Sequence, residues 1–178
     1  MSTASRALIP LSIFIVLAAL LFYGLQLDPR KVPSPLVDKP APAFALQALK
    51  NANQTLTQDI LQGKMSLVNV WASWCPSCRQ EHDELMQIAR DNDIQIIGFN
   101  WKDTRQQALQ MLQQFGDPYT IILFDPDNQA GINWGIYGAP ETFVVDAQGI
   151  IRHKRIGPID RAVWNNEIQP IIEQYRNK

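Results

Sequence analysis

The chain has 178 residues, 46% of them apolar and 19% charged, enough for one well-packed domain with a short appendage and too apolar for wholesale disorder. Its formal net charge of −1 lacks the excess of Lys and Arg that holds nucleic-acid phosphates, so nucleic-acid binding is not expected. The two cysteines, Cys75 and Cys78, exclude a multi-bridge secreted scaffold and leave a redox pair, a partial metal site or a local staple.

Between Arg6 and Asp28 no residue is charged, and Ala7 to Leu27 is rich in Leu, Ile, Val and Phe. As a helix this run reaches ~31 Å, against a hydrocarbon thickness of ~30 Å. A secretory signal would have a shorter apolar run and a small-x-small cleavage site; Phe22-Tyr23-Gly24-Leu25 supplies none. Residues 1–6 are therefore expected to be a short head and residues 7–27 a transmembrane signal-anchor. Arg6 on one side and Arg30 and Lys31 on the other do not decide its orientation. Residues 28–42 carry Pro29, Pro33, Pro35, Pro40 and Pro42, which favour extended backbone and deny helix and central strand, so this stretch is expected to be a stalk. Residues 43–178 are expected to form the domain.

In that domain apolar clusters alternate with amphipathic stretches, as in an α/β fold. Ser66 to Trp71 reads as a buried strand. Pro76 to Arg90 reads as a helix with Leu85, Ile88 and Ala89 on its apolar side. Ile94 to Phe99 is the next strand. Thr104 to Phe115 is a second helix with Thr104 as N-cap and Ala108, Leu109, Met111, Leu112 and Phe115 as its stripe. Ile121 to Phe124 is a short strand. Thr142 to Val145 and Ile150 to Arg155 form a hairpin, and Arg161 to Tyr175 is a closing helix that Pro170 should bend. The order is that of a thioredoxin-like mixed sheet flanked by helices.

A strand running into Cys75, with Pro76 in the first helical turn, places the Cys75 sulfur where unpaired N–H groups and the positive end of the helix dipole converge. In such C-x-x-C settings the thiol pKa falls from ~8.5 into roughly the 3.5 to 7.5 range, which makes Cys75 the candidate nucleophile. Cys78, one turn further in, is the candidate resolving thiol that attacks the mixed disulfide and leaves Cys75 and Cys78 oxidised. Two other readings stay open. Cys75, Cys78 and His82 have C-x2-C-x3-H spacing, although a closed zinc site needs a fourth ligand and the other histidine, His153, is far along the chain. An inert disulfide would close only a tiny loop and gain little by it. Covalent haem attachment needs His after the second Cys, where Arg79 stands.

Val70-Trp71-Ala72-Ser73-Trp74-Cys75-Pro76-Ser77-Cys78-Arg79 resembles the active-site run of thioredoxin-like proteins. Gly135-Ile136-Tyr137-Gly138-Ala139-Pro140-Glu141-Thr142-Phe143, with the apolar amino-terminal run and Glu81-His82, is similar to the DsbE/CcmG family of cytochrome c biogenesis thiol reductases. The resemblance implies a bacterial inner-membrane anchor with the amino terminus in the cytoplasm and the domain in the periplasm. It implies that apocytochrome c, at its haem-binding Cys-x-x-Cys-His motif, or a partner thiol protein of cytochrome c maturation, is the substrate. A membrane thiol transporter of the DsbD type is the implied electron donor, and no cofactor is implied.

Pro140 corresponds to the family's cis-proline beside the C-x-x-C, with an ordinary turn proline as the plain alternative. Ala139, Thr142 and Trp74 are the further substrate-binding positions expected. Ordinary thioredoxins carry a buried carboxylate six residues before the nucleophile, where this chain has Asn69; Glu81 and Glu141 are then the carboxylates left to move protons or tune the thiols. Glu81 could equally be a solvated helix-start acid. Trp71 is expected in the core, and Trp101, Lys102 and Asp103 at the sheet edge where ligands approach. A general disulfide oxidant or isomerase on the same fold, or a non-catalytic tethered binding module, are the rival functions.

Overall fold

The computed structural model describes residues 3–25, 34–92 and 94–176, with side chains from residue 10 onward. The chain falls into two units, Met1–Val32 and Pro33–Lys178. In the first, helix α1 (Thr3–Leu25) contains Pro10, with no acidic residue in its first turn and no basic residue in its last. Its described apolar side chains, Leu11, Phe14, Leu20 and Leu21 among them, are exposed. Among the described residues no helix is long and apolar enough to cross a membrane. The expected anchor extends at both ends beyond the described side chains, and residues 1–2 of the head and 28–33 of the stalk lie outside the described residues.

The second unit is built on an eight-stranded sheet of order β1-β8-β7-β4-β5-β6-β2-β3. The strands are β1 (Lys39–Pro40), β2 (Ala45–Ala48), β3 (Thr55–Thr57), β4 (Ser66–Trp71), β5 (Gln95–Trp101), β6 (Ile121–Asp125), β7 (Glu141–Val145) and β8 (Ile150–Ile156). β4, β5 and β6 run parallel, and the other pairs are antiparallel. β4 is buried at all six positions, as a strand covered on both faces must be and as its apolar cluster predicts. One face packs Leu67, Trp71, Leu85, Ile88, Met111 and Trp164 into a cluster that includes both cysteines. The other packs Phe44, Val68, Val70, Phe99, Trp134 and Phe143.

The helices of this unit are α2 (Pro76–Asp91), α3 (Arg105–Phe115), α4 (Gln129–Asn133), α5 (Arg161–Val163) and α6 (Gln169–Tyr175). α2 buries Cys78, Glu81, His82, Leu85 and Ile88, a helical stripe in which two polar residues occupy the turn after the cysteines, while Ala89 faces solvent. In α3 the buried stripe is Ala108, Met111 and Leu112; Leu109 and Phe115, expected in it, are exposed. Thr104 caps α3 as expected, its hydroxyl accepting from the Gln107 amide. The closing helix runs from Arg161 to Tyr175 as expected but widens in its middle. Asp160 caps α5 by accepting from the Val163 amide at 2.8 Å, and a π-helical turn over Trp164–Ile168 separates it from α6. Pro170 falls at the start of α6, where the wider turn before it accommodates a residue without an N–H.

Part of the expected stalk belongs to the sheet. The Asp38 amide donates to the Ile151 carbonyl (2.7 Å) and the Ala41 amide to that of Gly149 (2.8 Å), while Lys39 and Pro40 pair with Ile151 and Ile150. The prolines permit this because β1 is an edge strand, where a missing donor costs no ladder bond.

Candidate active site

β4 and α2 meet at the cysteines. Cys75 is the N-cap of α2 in extended backbone, and its Sγ accepts from the Cys78 amide at 3.1 Å. Pro76 occupies the first turn, where its missing N–H removes no helical bond. Cys75 and Cys78 are joined in a disulfide, and each is 2% exposed. His82, the third residue of the metal-like spacing, directs Nε2 to the Gly116 carbonyl at 3.1 Å and so ties α2 to the end of α3.

The approach to Cys75 is held by Asp103. Its carboxylate accepts from the Ser73 amide (2.6 Å) and hydroxyl (2.7 Å), from Asn100 Nδ2 (3.0 Å) and from the Thr104 amide (2.8 Å). Beside it the Trp74 indole N–H donates to the Lys102 carbonyl at 2.8 Å, leaving the ring 51% exposed next to the disulfide. Lys102 has φ +49°, which turns its carbonyl toward that indole. Trp101 is buried, with its indole N–H on Asn128 Oδ1, so of the three residues expected at the sheet edge one packs, one clamps and one supplies a carbonyl.

Along the buried stripe of α2, one turn beyond Cys78, lies a polar network that the sequence shows only in part. Asn69 Nδ2 donates to Glu81 Oε1 (2.9 Å) and to Thr142 Oγ1 (3.1 Å), while the Tyr119 hydroxyl donates to Asn69 Oδ1 (2.9 Å). The Ile159 amide donates to Glu81 Oε2 at 2.8 Å. Glu81 is 1% exposed, and burial pushes its carboxyl up from 4.5 to about 7 against the opposing pull of the Asn69 and Ile159 hydrogen bonds. Burial, reinforced by Glu81 and Asp117, holds the Tyr119 hydroxyl well above 10. Glu81 is thus not a solvated helix-start acid: it is buried and bonded to Asn69, the residue that stands where ordinary thioredoxins carry their carboxylate. Trp71 is core, stacked on Tyr119 at 5.4 Å between ring centroids.

The Ala139–Pro140 bond is cis, and Ala139 packs against the cluster that holds both cysteines. Thr142, expected to meet substrate, is fully buried with its hydroxyl on Asn69. Glu141 also differs from expectation. Thr142 pairs with Asn69 and Glu141 with Val70, and successive strand residues point to opposite faces, so Glu141 turns away from Glu81 into the cluster of Val70 and Phe143. There Oε1 accepts from the Tyr137 (3.0 Å) and Gly138 (3.3 Å) amides, and Oε2 pairs with Lys154 Nζ at 3.0 Å. Lys154, Tyr119 and the clamping role of Asp103 were not foreseen. Each depends on a partner distant in sequence, and Lys154 sits in a run, Arg152-His153-Lys154-Arg155, that reads as a solvated strand face.

A mixed thioredoxin-type sheet delivering a C-x-x-C disulfide to a helix N-terminus, with a buried carboxylic acid one turn further along that helix, defines a thiol:disulfide oxidoreductase. Residues 36–168 match the model of the Redoxin family. The chain is 73% identical to the thiol:disulfide interchange protein DsbE of Allochromatium vinosum, over 98% of this chain and 97% of that protein. It is 45% identical to DsbE of Escherichia coli K12, over 94% of each. A secreted thiol-disulfide isomerase of Corynebacterium glutamicum shares the fold, with a TM-score of 0.66 at 20% identity over 83% of this chain and 96% of that one. The chain belongs to the DsbE family of thioredoxin-like thiol:disulfide interchange proteins.

Proposed function

We propose that this oxidoreductase acts as a reductant, with the haem-binding Cys-x-x-Cys-His motif of apocytochrome c, or a thiol protein serving it during cytochrome c maturation, as its target. Once Cys75 and Cys78 are reduced, the Cys75 thiolate attacks one sulfur of a substrate disulfide. The first substrate sulfur leaves as a thiolate and takes up a proton, and a Cys75–substrate disulfide remains. Cys78 then gives its proton to Glu81 and attacks the Cys75 sulfur, releasing the second substrate sulfur as a thiolate that takes up a proton, and forming the Cys75–Cys78 disulfide. Two electrons pass to the substrate, and a membrane thiol transporter of the DsbD type returns two to the cysteine pair.

The observation that carries this reading is the buried Glu81 carboxyl, held near 7 one turn beyond Cys78, where a base must accept a thiol proton at neutral pH. Trp74, Ala139 and Pro140 form the edge at which an extended peptide docks, since proline leaves no N–H to compete for neighbouring backbone partners. The uncharged run of residues 7–27, with α1 and its exposed apolar side chains, supports a membrane anchor, and membership of the DsbE family supports a domain on the periplasmic side of the inner membrane. Cys78→Ser is the test: it should hold substrates as mixed disulfides on Cys75. Capture of apocytochrome c or a maturation thiol protein supports the reading. Full cytochrome c maturation in Cys75→Ala would overturn it, and a potential near the oxidant end of the scale, ~−120 mV, would make the protein an oxidant instead.

A further inference from the structure

Lys154 is 2% exposed at its side chain, an unusual place for an ammonium group, because removing it from water costs more than most buried pairings return. The cause is register: Lys154 pairs with Phe143 and therefore follows it onto the apolar face of the sheet. It lies 5.2 Å from the centroid of the Phe143 ring, and its polar contacts there lead to one short segment. Nζ pairs with Glu141 Oε2 at 3.0 Å, donates to the Gly135 carbonyl at 2.7 Å, and lies 4.2 Å from the centroid of the Tyr137 ring. Glu141 holds the same segment from its other oxygen, through the Tyr137 and Gly138 amides. Nothing lies within 4 Å of where a Cβ would be at Gly135 or Gly138, so side-chain packing does not fix these two positions. The ring it carries, Tyr137, is 66% exposed and stands three residues before Pro140.

We infer that the buried Glu141–Lys154 pair is a positioning device for the peptide-docking edge, holding the Gly135–Gly138 loop and the Tyr137 ring in the arrangement that receives an extended peptide disulfide. A buried ion pair is replaceable by apolar residues without loss of stability, so stability alone does not call for it, whereas three backbone groups and one ring held at fixed points do. Glu141 acts through the loop and takes no thiol proton. The inference rests on the proposal that Ala139-Pro140 docks peptide.

The test compares the full-length protein and Lys154→Met, reduced by dithiothreitol, on a synthetic peptide carrying a Cys-x-x-Cys disulfide and on oxidised glutathione. Losing charged hydrogen bonds of this kind corresponds to a KM for the peptide raised by about tenfold. The loss should fall on KM rather than kcat, with the Cys75–Cys78 potential held at the wild-type value, as for binding lost equally from ground and transition states. Should Lys154→Met fail to fold, Glu141→Gln/Lys154→Met leaves no unpaired charge and carries the same expectation, because the Gly135 carbonyl and Tyr137 ring still lose the ammonium. A wild-type KM in a folded variant, or a change seated in the potential, overturns the inference alone. If the wild type itself does not distinguish the peptide from glutathione, the docking edge fails and the inference with it.

Discussion

Replacing Glu81 with glutamine tests whether the acid one turn beyond Cys78 is held protonated by its surroundings. The wild-type carboxyl is raised from 4.5 to about 7, so the folded protein keeps this proton to higher pH than the unfolded chain does. Where the folded state binds more protons, stability falls as pH rises. The Glu81 contribution is thus fully present below about pH 4.5, declines through the interval and is gone above about pH 7. The interval corresponds to about 3 kcal/mol. Asn69 and the Ile159 amide face the carboxylate as donors, and Tyr119 is the nearby ionisable group; its hydroxyl is held above 10 and stays neutral throughout the interval. Glutamine carries no titrating proton, and subtracting its profile removes the titrations common to both proteins. Guanidinium unfolding of the oxidised proteins from pH 4 to 8.5 should show the wild type losing about 3 kcal/mol relative to Glu81→Gln. In Cys78→Ser the resolving thiol is gone, so the functional readout is the release of substrate from Cys75 by the protein with both cysteines: its rate should rise through about pH 7 and lose that rise in Glu81→Gln. Parallel stability profiles would refute both the burial argument and the role built on it.

Gly98→Ala places a Cβ 2.9 Å from Trp71 Nε1 and 2.9 Å from Tyr119 Cγ, two stacked rings in the core, and should destabilise the domain by about 1–3 kcal/mol in denaturant unfolding; wild-type stability would mean the stack has slack that its geometry does not show. Asp103→Ala removes the acceptor for the Ser73 amide and hydroxyl. It should cost about 2 kcal/mol and speed hydrogen exchange at the Ser73 amide, and an unchanged exchange rate there would show that the loop before Cys75 is held by something else.

Local patterns carried much of the fold. β4 was legible because a strand buried on both faces is apolar at most positions, here Leu67, Val68, Val70 and Trp71, and α2 because Pro76 and a helical stripe follow the cysteines. The short hairpin of β2 and β3 and the five-residue α4 were not, since elements of three to five residues carry too little periodicity to separate from loop. The π-helical turn was also out of reach: Pro170 signals a break in the closing helix but not how the helix absorbs it.

The sequence by itself placed Cys75 and Cys78 three apart at a helix start, a local arrangement that needs no distant partner, and made a redox pair the leading reading of them. It also determined, through Asn69, that the usual acid is missing from β4. Only the tertiary structure decided where the two candidate carboxylates lie. Glu81 and Glu141 are both acidic residues near the motif, yet one lies buried one turn beyond Cys78 with a raised carboxyl and the other turns to the opposite face to hold a loop with Lys154. The difference comes from strand register and from which groups are brought over from Tyr119, Ile159 and β8, and neither is written within a few residues of either glutamate.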